Sequence, residues 1–519
     1  MVRKVCIMGA GVGGLTTAIE LSKNADFEVT IIERNYEIGG QARSRTIYDK
    51  NGKILNHSEY CWHAIHCGYN NFLTVMTKTN SNIFNYLKPI SKYIYSSPRG
   101  QYIEYNNAFL TVDRKIFYGL YKLYNSAYLV IQNMWSLMWL YMTILFACKE
   151  RTESWDKIKW SDYLSYYKFS AEINRWLLDS TSIFLGMDYR KLSTHTMANL
   201  IRLKSVPYPD PTDSLHKYMF YSLTQPMSNI LFDNIESYLL RNNVNIYKGI
   251  HIKSLEITET KITGITLDNK EILNDFDEHT IYVNGLSVES FAGLICRPSI
   301  TKLAELGHQI QTQVFYTFRQ EKKYSNGEGL VIIHYDTPWF LMSRAEETFW
   351  ESKFVDYDCY WSVGIGLWDI KGLNGKTASD CTPKEIAEEC WRQMQMDIKL
   401  ELPELNDINV KWNIWDSYKW DNQIGQLTSY EPKWSNSINT LELRPKIKDD
   451  IIENLYNTTA YSLNKTIMFN MEGAAESGVR AANLIQSTVD KINDDRETAP
   501  IWIRIIRLVD SFFFAQLKC

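Results

Sequence analysis

The apolar run Lys4 to Met8 predicts a strand. The residues after it switch to helical spacing through Leu15, Ala18, Ile19 and Leu21. A second apolar strand, "EVTIIE", ends in Glu33. In the middle of the chain Ile310, Thr312, Val314, Tyr316 and Phe318 alternate with Gln311, Gln313 and Arg319, the period of two of a strand. "LVIIHY", "WFLMS" and "YWSVGIGLW" continue a mixed or antiparallel sheet. Gly364 and Gly366 in the last read as strand glycines that make room for a neighbour, not as a second nucleotide loop. "TPKEIAEECWRQMQMDI" predicts a helix starting at Thr382 or Pro383. Near the end, "MEGAAESGVRAANLI" (471–485) predicts a helix with Gly473, Ala474 and Ala475 in its first turn and Gly478 one turn on. Glycine inside a helix costs up to ~1 kcal/mol against alanine, so something must approach this backbone closely.

Two apolar stretches are ambiguous. Ala127 to Cys148 is 22 residues without a charge, the length of a membrane span. Asn125, Gln132, Ser136 and Thr143 nevertheless fall within a stripe of about 40° at ~100° per residue. That ranks a helix packed within the protein first, one touching a membrane surface second and a span last. The tail "APIWIRIIRLVDSFFFAQLKC" sets Arg504, Arg507, Ser511 and Lys518 within about 60°, opposite Ile501, Trp502, Ile505, Ile506, Leu508, Val509, Phe512 and Phe513. Such a pattern suits an interfacial membrane helix or a docked terminal one. The charged "DKINDDRET" before it reads as a linker, which favours a membrane or partner surface. Cys519 is the last residue, so the tail is not a prenylation box.

Composition narrows the class. With 45% hydrophobic and 13% aromatic residues, the 519-residue chain can fill a large core. Lys plus Arg is 56 and Asp plus Glu is 60, a net charge of -4, which is no nucleic-acid footprint. The nine cysteines are scattered and form no CxxC pair, which fits a reducing compartment and argues against a disulfide framework or zinc site. No signal peptide is read at the N-terminus, and a cytoplasmic location, peripheral on a membrane, is expected.

The first strand, helix and second strand enclose Gly9-Ala10-Gly11-Val12-Gly13-Gly14. Gly9 suits the tight turn, Gly11 lets a pyrophosphate reach the backbone, and Gly14 brings helix and strand together. The helix N-terminus faces the phosphates, and Glu33 accepts from a ribose hydroxyl. The whole dinucleotide-binding unit is therefore present, not an isolated glycine pattern.

Arg34 and then "IGGQARSR" (38–45) resemble the flavin-containing amine oxidase and phytoene-desaturase-like superfamily. In that group an acid–Arg pair precedes a glycine pair and a basic residue that wrap the FAD pyrophosphate; Gly39, Gly40 and Arg43 match, with Gln41 where a basic residue is frequent. "PMSNILFDNIESYLLRNNVNIYKGIHIKSLEI" (226–257) resembles the segment reaching the adenine end of FAD, with Ile252 at the position whose backbone touches adenine. "KITGITLDNKEI" reads as a hairpin turning at Asp268-Asn269, and "HTIYVNG" as a strand returning to the sheet. "MEGAAESG" resembles the last flavin-binding helix, which implies that Met471, Glu472 and Gly473 meet the flavin ring. One departure stands out: Ala460 occupies the place where relatives carry an acid for the ribityl chain, with Thr458 and Thr459 hydroxyls as the substitutes at hand.

The resemblance implies an α/β fold. A discontinuous Rossmann-like FAD-binding domain of the GR2-like type is expected over 1–75, 220–290 and 440–487, an inserted α+β substrate domain over 76–219 and 291–439, and a linker with an amphipathic helix over 488–519. The expected reaction is hydride removal from a C–H bond of an apolar substrate to FAD, as in desaturases, with dioxygen or a quinone as acceptor. An amine oxidase is the alternative, favoured by two parallel aromatic rings and a buried Lys at the flavin. A flavin-fold binding or structural protein is the non-enzyme alternative, to which Ala460 points. "HSEYCWHAIHCGY" (57–69) holds the expected proton-transfer residues, His63 and His66, one turn apart if helical. For each, a satisfied core histidine is the commoner role. The tryptophans of "KWNIWDSYKW" read as core packing before an aromatic cage. No metal-ligand spacing is read.

Overall fold

The structure is a computed structural model. It describes residues 2–96, 102–106, 127–205, 220–268, 276–320, 327–487 and 501–516, apart from positions 62, 81, 172, 176, 179, 180, 182–185 and 407. The linker "DKINDDRET", Asn125, Lys518 and Cys519 lie outside the described residues.

A five-stranded parallel sheet is built from three distant stretches of chain. Its order is Leu455–Asn457, Ile281–Asn284, Arg3–Met8, Phe27–Glu33 and Asn245–Lys248. Val5, Cys6, Ile7 and Met8 are fully buried, as a central parallel strand covered on both faces requires. Between the first two strands in sequence runs the helix Val12–Leu21, and the helix Met471–Gln486 lies across it.

The contact between these two helices explains one small residue in the late helix. A Cβ on Gly478 would stand 2.5 Å from the carbonyl oxygen of Gly13 and 2.7 Å from Thr16 Cβ. What approaches Gly478 is therefore the first helix of the chain, and this part of the small-residue pattern serves helix packing.

The second layer is a mixed sheet. Its strands run Val410–Ile414, Gln313–Phe318, Cys359–Ile365, Leu341–Ala345, Gly329–His334, Leu87–Ser96, Phe220–Leu223 and Ile65–His66, with Tyr102–Asn106 also paired to Leu87–Ser96. Only Gly329–His334 and Leu87–Ser96 run parallel; the other pairs are antiparallel. Ile65–His66 and Phe220–Leu223 thus belong to this sheet and not to the parallel one.

Gln313–Phe318 alternates in sequence, yet all six of its residues are buried. Alternation usually marks a strand with one wet face. This strand lies between Cys359–Ile365 and Val410–Ile414, and the helix Pro383–Gln395 packs over it, with Tyr316 donating to Ala387 O. That helix opens with Thr382 and Glu385 in a reciprocal capping box, as its sequence predicts. Ile252–Ile257 and Ile262–Leu267 form a hairpin that turns at Thr258–Lys261; the expected turn at Asp268-Asn269 reaches residues outside the described ones.

Ala127–Phe146 is one helix, and among the described residues no helix is long and apolar enough to cross a membrane. The C-terminal helix Ile501–Gln516 docks against its end and against the short helix Lys149–Ser154. The docking side differs from the expected one. Ile503 packs on Leu145, Arg507 donates to Leu145 O, Asp510 pairs with Arg151 at 2.9 Å, and Arg151 lies over Phe514. These four positions recur at helical spacing and include two charges, so part of the polar stripe is the docked side. The wide apolar side faces outward.

Candidate functional site

One cavity of about 580 Å³ is walled by both sheets. Gly9, Gly11, Val12 and Gly13 line it from the first strand–helix turn, with Glu33, Arg34, Gly40, Arg43 and Ile252 around them. Gln313 and Gly364 reach it from the second sheet, with Gln311 and Thr312 just before the strand that Gln313 opens.

The turn is held from both sides. Ala10 N–H donates to Glu33 Oε2 at 2.7 Å, and the other carboxylate oxygen accepts from Asn35 N and Nδ2, each at 2.8 Å. Glu33 thus braces the loop while remaining on the cavity wall. Gly40 has a φ of +58°, and a Cβ there would lie 2.9 Å from Gly11 Cα, so the glycine pair lets a second loop rest on the first. Gly14 does not line the cavity; its missing side chain lets Gly9 O come within 2.4 Å of where a Cβ would be. Gly11 is different: a Cβ there would meet only Gly285 O, at 3.5 Å, and would otherwise open into the cavity.

Glu431 is a residue that the sequence reading missed. Buried behind the glycine loops, it receives Arg43 at 2.7 and 3.0 Å, Asn35 Nδ2 at 3.1 Å and Trp415 Nε1 at 3.2 Å, with Arg34 at 3.6 Å. Arg43 also donates to Gly40 O at 2.7 Å. Its buried Nε has no hydrogen-bond partner, and Gln313 Oε1 across the cavity has none either. Nothing in "SYEPKW" marks such an acid, since its partners come from strands far away in sequence. Trp415 packs under Arg43 and Arg45, which accounts for one tryptophan of "KWNIWDSYKW" as packing.

Of the late-helix residues, Met471 and Ala474 face the cavity; Glu472 and Gly473 do not line it. The N–H of Gly473 is taken by the capping Asn470 Oδ1 at 2.8 Å. The Glu472 carboxylate accepts from Asn71 N, Asn71 Nδ2 and Phe72 N, and so caps the helix Asn70–Thr79. Ala460 lines the cavity, but the hydroxyls beside it are occupied: Thr458 donates to Asn284 O and Thr459 pairs with Ser462.

The two histidines part company. His63 lines the cavity. His66, on the strand Ile65–His66, is buried between Phe220 and Tyr69 and accepts from Gly68 N–H at 2.9 Å. The segment is therefore not helical, because Ile65–His66 pairs with Phe220–Tyr221. Three further groups stand beside His63 on the wall, Cys61, Tyr60 and Lys433. Burial lowers the Lys433 ammonium below its ordinary value, while the Cys61 thiol works the other way. Among the described residues no cluster of His, Cys, Asp and Glu could hold a metal ion.

Residues 7–79 match the model of an NAD(P)-binding Rossmann-like domain. No curated protein matches the chain in sequence. Among solved structures, a putrescine oxidase bound to putrescine is 13% identical with a TM-score of 0.61, covering 94% of this chain and 99% of its own. An oxidoreductase from Methanosarcina mazei is 15% identical with a TM-score of 0.56, covering 92% and 99%. A proposed protoporphyrinogen oxidase from Exiguobacterium sp. 255-15 is 11% identical with a TM-score of 0.58, covering 94% and 99%. The chain has the fold of these oxidoreductases. Its α/β architecture, with a Rossmann-like parallel sheet beside a second sheet, follows theirs along nearly its whole length.

Proposed function

We propose that the protein is an FAD-dependent oxidoreductase that removes hydride from a C–H bond of an apolar substrate, with dioxygen or a quinone as the final acceptor. The observation that carries this reading is the single cavity walled by both sheets, so that a dinucleotide on the glycine turn and a substrate against the second sheet would share one space. The residues present fit FAD. Gly11 leaves open the side a pyrophosphate would take, Arg43 Nε and Gln313 Oε1 await partners, and Met471 and Ala474 offer a small-featured wall for a ring. Gly9, Gly11, Glu33, Arg43 and Ile252 would hold the dinucleotide. FAD, when bound, supplies the hydride acceptor; the protein's part is to position the substrate and exclude water. Met187, Phe220, Ile365, Met468 and Phe469 on the wall favour an apolar substrate. The test is anaerobic bleaching of the bound flavin by long-chain alkenes against primary amines.

One observation favours an amine oxidase instead: Lys433 is buried on the cavity wall. Among the aromatic rings on the wall, Trp434 meets Tyr461 and Phe469 at 55° and 58° rather than in parallel.

An apolar substrate also agrees with a membrane-facing surface. The C-terminal helix docks by Ile503, Arg507, Asp510 and Phe514, leaving Trp502, Leu508, Phe512 and Phe513 exposed beside Arg504. The adjoining helix Ala127–Phe146 exposes Trp135 (69%) and Trp139 (61%) with Met134, Met138 and Met142 on one face. Trp, Phe and Met outward with an arginine among them is the composition of a surface that sits at the headgroup level of a bilayer.

A further inference from the structure

Cys61 and His63 both line the cavity, and Cys61 Sγ lies 3.4 Å from His63 Nε2. We propose that they form a thiolate–imidazolium pair, a nucleophile with its own proton donor, matched to an electron-poor alkene. This does not depend on the flavin reading, because it rests on the pair's own surroundings.

Those surroundings are built. Arg344 donates to His63 O at 2.8 Å and is itself fixed by Glu346 at 2.6 Å and Glu59 at 3.3 Å. Glu59 lies 3.4 Å from His57. Tyr60 donates to Glu431 O at 2.8 Å, which anchors the backbone next to Cys61. The charged and titratable groups facing the pair are Glu59, Arg344, Lys433, Tyr60 and Tyr418.

Burial alone would raise the Cys61 thiol. His63, by charge and hydrogen bond, and then Lys433 bring it below its ordinary value against the opposition of Glu59. Burial alone would lower His63, yet Cys61 and Glu59 hold it above its ordinary value against Lys433. The thiols of Cys6 and Cys390 go the opposite way: burial raises both, and neither has a histidine partner among the causes of its shift. A thiolate beside a histidine cation is the reactive form of cysteine.

The step it supports is balanced within the pair. Sγ adds to the β carbon of an enone, and the alkene π pair moves to the α carbon. That carbon takes the proton from His63 Nε2, leaving a thioether and a neutral imidazole. No oxidant or further reactant is needed.

The test uses N-ethylmaleimide on the purified full-length protein at about pH 6, with labelled peptides mapped by mass spectrometry. Exposed Cys296 serves as the reference thiol in the same chain. Cys61 should label at least about tenfold faster than Cys296, and His63→Gln should slow Cys61 about tenfold while leaving Cys296 unchanged. Thermal melting of the variant, with His63→Asn as a second replacement, guards against a folding artefact. A readout that needs no reagent access is the far-ultraviolet thiolate absorption of wild type minus Cys61→Ser, expected at about pH 6 and lost in His63→Gln. Absence of that absorption, or Cys61 labelling indifferent to His63, overturns the pair.

Discussion

The carbonyl oxygen of Thr458 stands 1.4 Å from the point that a Cβ on Gly13 would occupy, so the two backbones touch where the first turn of the chain meets its last strand. Gly13 is not one of the three glycines of the dinucleotide pattern. Its role is to let the C-terminal segment close over the N-terminal one, and any side chain must push that segment away. Gly13→Ala should therefore destabilise the protein by at least about 3 kcal/mol, the upper end of ordinary overpacking. Gly11→Val should do the reverse: retain the melting temperature, because a Cβ there meets only Gly285 O at 3.5 Å and otherwise opens into the cavity, and abolish dinucleotide binding. Denaturant melts of both variants beside a cofactor-binding titration check the split.

The nucleotide half was legible because its signals are local. Strand, glycine turn, helix, strand and acid follow one another within the first 33 residues, and the first strand, the helix and Glu33 take the expected places. The late helix was legible too, as was the close approach to Gly478; that the first helix is what approaches is a contact no spacing rule contains. Glu431 was hidden for the same reason, since Arg43 and Asn35 reach it from several hundred residues away, whereas His63 was legible and its neighbour Cys61, two residues before it, was not singled out. The tail misled by half. Its amphipathic pattern was visible, but an aspartate and an arginine on one side pair with Arg151 and Leu145 O, which sequence periodicity cannot reveal.

Asp449 ties the strand Leu455–Asn457 to the helix Pro298–Gly307 through a two-bond pair with Arg297, both at 2.9 Å. Burial would raise this carboxyl. The Arg297 hydrogen bond and the N–H groups of Ile452 and Ile451 outweigh it and hold the group below the usual carboxylate range. An acid depressed in the folded state stabilises above its unfolded value, about pH 4, and that stability is lost as pH falls through the lower folded value. Asp449→Asn should cost about 3–5 kcal/mol at neutral pH, because it strands a half-buried arginine. The cost should shrink in melts taken below about pH 3, and a variant equally destabilised at every pH would contradict the assignment.

The outward apolar side of the two adjoining helices predicts lipid binding without a span. Full-length protein should sediment with anionic liposomes, and Trp139→Glu with Phe512→Glu should release it while the melting temperature holds, since both side chains are exposed. Each lost aromatic removes up to about 1.5–3 kcal/mol of burial, so the double change should weaken binding at least about tenfold. Removal of residues 499–519 should also expose Leu145, which Ile503 covers, and so lower stability slightly. Loss of self-association in place of liposome binding would assign the face to a second copy.

The proposed function requires that the cavity walled by both sheets holds FAD. The most direct measurement is the visible spectrum of the purified protein, followed by denaturation and identification of what is released. A yellow protein that gives up one equivalent of FAD is expected. A colourless protein that takes up no added FAD, or one that binds a nicotinamide dinucleotide in its place, would contradict it.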